Sequence, residues 1–234
     1  MRLMLVVLAT TILVQAQAQP PEAPRPSPDA EEKARVNWLA DQVKDAVEKG
    51  NFPAANLFVS QLGLAVTKRE MSFKLEEFES QLPAAGPIRI YPLTNAAKAA
   101  YDASDYAKAE KYAREVLALA EEYPKDPQYG VAVFFGHMVL GRIALARDHN
   151  IKEAKAELLA SGKTPGSATL NSFGPNPSLA RDLLAIGERD VVLQFFGQCR
   201  SFWKIDIGRK KLDDWTKTAE GCCRMPNFAE NLRY

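Results

Sequence analysis

Three short stretches of this chain share one design: a helix, a tight polar turn and a second helix opening on small residues. They are Lys49-Gly50-Asn51-Phe52-Pro53-Ala54-Ala55, Ala103-Ser104-Asp105-Tyr106-Ala107-Lys108-Ala109 and Asp148-His149-Asn150-Ile151-Lys152-Glu153-Ala154. A helical hairpin cannot bury its apolar faces alone, so recurring hairpins must stack against one another. The expected fold is therefore all-α, an array of stacked antiparallel hairpins, either a solenoid or a compact superhelix.

The first eighteen residues read as a separate device. Met1-Arg2 supplies one positive charge, Leu3 to Val14 is an almost uncharged apolar run, and Ala16-Gln17-Ala18 is a small-x-small cleavage site. This is the pattern of a secretory leader, and the run is shorter than the roughly 20 residues a spanning helix needs. Residues 1–18 are read as a leader and the mature chain as an exported protein, periplasmic or extracellular, with no membrane span. Residues 19–28 hold five prolines and read as an extended spacer.

Helical periodicity organises the rest. A first hairpin spans 29–82, with Val36, Leu39, Val43 and Val47 on one face of its first helix and Ala55, Phe58, Leu62 and Val66 on its second. The second helix continues through Met71, Leu75 and Phe78 as one long helix or two collinear pieces. Residues 83–92 form a Pro/Gly break in which Ile88-Arg89-Ile90-Tyr91 alternates as an extended segment would. Residues 93–203 hold further hairpins, interrupted by a loop at 161–177. Gly136 and Gly141 interrupt the most apolar helix, which predicts a close helix-helix approach there. After the loop, Ser178 is the expected cap of a fourth hairpin. Residues 204–234 read as a cap over the last apolar face, through Leu212, Trp215 and Phe228.

On these residues the chain resembles the tetratricopeptide repeat family. Leu140-Gly141, Ala144 and Ala154 match one unit, Tyr106, Ala109 and Pro124 a second, and Phe52 and Ala55 a third. The alanines at 55, 109 and 154 are spaced 54 and 45 apart, wider than the 34 of that family. The resemblance implies a fold that holds a protein or peptide segment in a groove. The stretch from Leu170 through Phe196 also resembles parts of exported bacterial proteins of no assigned role.

Several chemistries lack their residues. The net charge of +1 gives no basic excess for a phosphate backbone, so nucleic acid is not the expected partner. No G-x-S-x-G, H-E-x-x-H or Walker-type segment occurs, and no catalytic residue, cofactor or metal site is assigned. The acidic stretch Glu70 to Glu79 could supply paired carboxylates to an accessory cell-wall glycan enzyme, against its plainer reading as a solvated helix face. The clusters Phe134/Phe135/Met138 and Phe195/Phe196 could line a site for a small apolar ligand. The residues expected to meet a partner are Tyr101, Tyr112 and Tyr123, whose rings suit interfaces, and Asn171, Phe173 and Asn176 of the loop. In the loop's structural reading, Phe173 plugs the gap between hairpins. Of the three cysteines, Cys199 could bridge to Cys222 or Cys223, or lie free in the core.

Overall fold

The computed structural model describes residues 28–221 and 224–233. The expected leader and most of the proline-rich stretch lie outside them, as do Cys222 and Cys223. Ten α-helices pack in sequence, with no strand among the described residues: α1 Pro28–Glu48, α2 Phe52–Ser80, α3 Ile90–Asp102, α4 Tyr106–Glu122, α5 Tyr129–Ala146, α6 Ile151–Gly162, α7 Ala168–Phe173, α8 Ser178–Ala185, α9 Arg189–Cys199 and α10 Asp206–Glu220. Neighbours along the chain pair as hairpins (α1–α2, α3–α4, α5–α6, α8–α9), and each hairpin packs on the next.

The three repeated turns are built alike. Gly50, Ser104 and His149 hold left-handed φ values of 68°, 64° and 52°. The next residue caps the following helix: Asn51, Asp105 and Asn150 accept through Oδ1 from the N–H of Ala54, Lys108 and Glu153. Each cap's own N–H donates to an alanine carbonyl of the preceding helix (Ala46, Ala100, Ala144) at 2.8 Å. Each cap's carbonyl accepts from Ala55, Ala109 or Ala154. All six alanines are buried, because helices that meet this closely leave room for little more than a methyl group. A fourth turn copies the backbone at Gly187 (φ 89°), with Glu188 N–H on Leu183 O but no side-chain cap.

Two expectations about the breaks are corrected. Ile88-Arg89-Ile90-Tyr91 is helical: Pro87–Arg89 form a 3-10 turn running straight into α3. Prolines at the start of a helix lose no hydrogen bond. The burial pattern there has a helical spacing, with Ile90 and Leu93 at 0 % exposure while Ile88 and Tyr91 face outward. Residues 161–177 are likewise not structureless. They include the end of α6 and the short α7, capped by Ser167 Oγ on Leu170 N–H. Ser178 is the first residue of α8 rather than its cap; Asn176 Oδ1 accepts from the Ser178 N–H.

The main core gathers α5 to α10. Phe134, Phe195, Phe196, Phe202, Trp203, Trp215 and Phe228 are all buried, with ring centroids 5.0–6.4 Å apart in tilted and edge contacts. Leu212, Trp215 and Phe228 are buried in this core. The tail is held by the Trp215 indole N–H on Asn227 O, and by Asn231 Nδ2 donating to Phe173 O at 2.8 Å. Gly136 lies against Leu117 of α4 and Gly141 against Leu179 of α8; a Cβ at either would stand under 3 Å from those leucines. α5 is apolar and long enough to cross a bilayer, but most of it is buried between α3, α4, α6 and α8.

Candidate functional site

A groove runs between α3, α5 and the α7–α8 segment. Tyr91, Asn95, Lys98 and Asp102 line it from α3, spaced four, three and four residues apart, a single helical face. Val131, Phe135, Met138 and Arg142 line it from α5 with the same spacing. Leu170, Phe173, Gly174, Asn176, Ser178 and Arg181 form the third wall.

The two ends differ in chemistry. One end, a cavity of about 180 Å³, is apolar: Tyr91, Val131, Phe135, Leu170 and Phe173 meet there. The other, about 220 Å³, is cationic: Lys98, Arg142 and Arg181 face Asp102 alone as a lining acid. Lys98 and Phe135 belong to both ends and join them. The Lys98 ammonium sits 4.4 Å from the Phe135 ring centroid. Burial pulls it below its ordinary pKa, and Asp102 opposes that shift. The Arg142 guanidinium lies 3.9 Å from the Tyr101 ring centroid and reaches Asp102 at 3.4 Å. Its Nε is buried without a hydrogen-bond partner. A buried donor of that kind is costly unless something accepts from it. Arg181 is turned to its neighbour Asp182 at 2.8 Å. The arrangement offers hydrogen-bond donors and positive charge at one end, and a flat apolar bed at the other.

The residues expected at a partner surface divide. Phe173, half exposed, and Asn176 line the groove, and Tyr101 carries the Arg142 guanidinium from beneath. Tyr112 is elsewhere: its hydroxyl donates to Glu79 at 2.6 Å and ties α4 to α2. Tyr123 ends α4 and packs on the small core beneath α3. Asn171 is a structural link, accepting the Lys204 N–H at 2.8 Å. Leu170, at 1 % exposure, is the α7 residue buried in the main core, whereas Phe173, at 49 %, does not plug the gap between hairpins. Phe134, Phe135, Met138, Phe195 and Phe196 all lie in the main core, and of these Phe135 and Met138 also line the groove. Cys199 is a buried free thiol whose pKa burial drives far up, and its candidate partners lie outside the described residues.

Lys98, Arg142 and Arg181 were not singled out in the sequence. They lie 44 and 39 residues apart, and only the stacking of three hairpins brings them together. The readable signal was the four-three-four spacing on α3 and its copy on α5.

Other chemistry is accounted for by structure. His137 Nδ1 meets Glu157 Oε2 at 2.7 Å and joins α5 to α6. Glu79 is held by Lys108 and Tyr112. Burial works to raise its carboxyl, but those hydrogen bonds and the Lys108 and Lys111 charges together hold the pKa below the usual range, opposite to what a general acid needs. No cluster of His, Cys, Asp and Glu suited to a metal occurs among the described residues. No protein-family profile, curated protein or solved structure matches this chain.

Proposed function

We propose that this protein is an exported, non-catalytic helical-repeat scaffold that holds an extended segment of a protein partner in the groove between α3, α5 and α7–α8. The observation that carries this reading is the pair of matched stripes, Tyr91-Asn95-Lys98-Asp102 and Val131-Phe135-Met138-Arg142, which run side by side along the groove. A segment lying there meets an apolar bed at one end and the Lys98, Arg142 and Arg181 cations at the other. The leader-like N-terminus supports a place of work outside the cytoplasm, and the resemblance to tetratricopeptide repeats supports the same kind of role.

A small apolar ligand is the second reading, favoured by the apolar end. Cavities that enclose a whole small molecule run to about 300–1,000 Å³. The groove's apolar end, at about 180 Å³, is smaller than that, and its continuation into a cationic end better suits successive side chains of one extended segment.

The test is a pull-down from an envelope extract with three baits: the wild type, Lys98→Glu/Phe135→Ala, and a variant altered on the far face at Lys152→Glu. A partner recovered by the wild type and the Lys152 variant but lost with the groove variant supports the reading. Equal recovery by all three, or none by any, overturns it.

A further inference from the structure

We infer that this protein forms a two-fold dimer through α2, with the second copy covering the first half of that helix. The inference is independent of the groove. From Phe52 to Thr67, sixteen residues, α2 carries no charged side chain. α1 covers one side of it, through Ala55, Phe58, Leu62 and Ala65. The α2 residues that join the α3–α4 core, Leu75 and Phe78, lie in its last two turns. At 29 residues α2 is about 43 Å long, against about 20 Å for the 13-residue α3, so its first half extends past the body.

That first half is apolar and open. Phe52, Leu57, Val59, Leu64 and Val66 are 63, 57, 52, 74 and 47 % exposed. On a helical wheel Val59 and Val66 form one ridge and Leu57 and Leu64 another. Asn56, Ser60, Gly63 and Thr67 run between them, all exposed and all uncharged. Two ridges flanking a small-residue furrow form a surface shaped for another helix.

The occupant that fits is a second α2 running antiparallel. A two-fold axis near residues 61–62 sets Val59 against Val66 of the partner subunit and Leu57 against Leu64 of the partner subunit, and each contact then occurs twice, as an isologous interface requires. Between residues 57 and 66 neither copy brings a charge into the contact, so no like-charge repulsion or ion desolvation opposes its centre. The exposed ridges and the furrow together offer on the order of 700–800 Å² a side, close to what a stable interface buries. A membrane surface is the poorer fit, because interfacial helices line their polar face with Lys and Arg, and residues 52–67 carry none.

Sedimentation equilibrium on the purified full chain tests the inference. The wild type is expected to sediment at twice the monomer mass at tens of micromolar. Leu64→Lys/Val59→Lys, two exposed changes, is expected to be monomeric with an unchanged far-ultraviolet circular dichroism spectrum. Mild oxidation of Ser60→Cys, near the axis, is expected to give a cross-linked dimer absent from the parent chain, whereas Thr67→Cys, about 16 Å from its own mate by helix rise, is not. A monomeric wild type overturns the proposal, as does flotation of a monomer with phosphatidylcholine vesicles. A dimer that survives the double lysine change, or cross-links equally at 60 and 67, overturns the α2 geometry.

Discussion

The guanidinium of Arg142 lies 3.9 Å from the centroid of the Tyr101 ring, and this stack fixes the cationic end of the groove. The face of the ring takes the positive charge, while Nε remains buried with no acceptor. Arg142→Lys keeps the charge but loses the flat stacking surface and the fork of donors. Partner affinity is expected to fall about tenfold in Arg142→Lys and further in Arg142→Ala, read by titration calorimetry with the recovered partner segment. Thermal stability should change little in the lysine variant.

Gly174 and Gly187 separate two costs of adding a methyl group. Both hold left-handed φ values, 83° and 89°. At Gly187 a Cβ meets open space, and Gly187→Ala is expected to cost about 1–2 kcal/mol from backbone strain alone. At Gly174 the Cβ would stand 2.5 Å from the Trp203 ring, so Gly174→Ala should add about 1–3 kcal/mol of overpacking. Urea denaturation of the two variants measures the difference.

The repeated turns predict changes of both signs. Asn51→Ala, Asp105→Ala and Asn150→Ala each remove a cap and should cost about 1 kcal/mol. Ser104→Gly and His149→Gly relieve left-handed strain at exposed sites and should stabilise by roughly 0.5–1 kcal/mol. Equal midpoints for wild type and the glycine variants would show that the turns are not strained.

The Tyr112–Glu79 link predicts a pH dependence at both ends of the scale. Burial first, and then the bond to Glu79, raise the Tyr112 hydroxyl from 10.0 to about 12. A folded pKa above the unfolded one leaves its stability intact below pH 10 and removes it between pH 10 and about 12. Glu79 runs the other way: its lowered pKa contributes stability above 4.5 that is lost as the pH falls through the folded value. Tyr112→Phe should flatten the alkaline fall and weaken the acid one, measured as the urea midpoint against pH.

The hairpins were legible in the sequence because their turns are local: a left-handed residue, an Asx cap and an alanine three or four residues on lie within one short window. The break at 83–92 misled because prolines there begin a helix as well as end one, and a four-residue alternation is too short to tell period two from period three. The groove was only half legible. Phe173 and Asn176 stand out in a loop rich in turn residues, whereas Lys98 and Arg142 look like ordinary charges on their own helices. Their meaning comes from α3 and α5 lying side by side, a tertiary fact. Tyr112 and Tyr123 show the converse, since ring type alone does not tell an interface from a helix tie.

Asn231 holds the backbone of Phe173 from 58 positions further along the chain. One side of the pocket is thus fastened by the tail and not by the helices that line it. Without that hydrogen bond the Phe173 side of the cleft would be an open ledge. Asn231→Ala would keep every lining side chain yet leave that ledge unclosed, so a distant amide governs whether the cleft can grip.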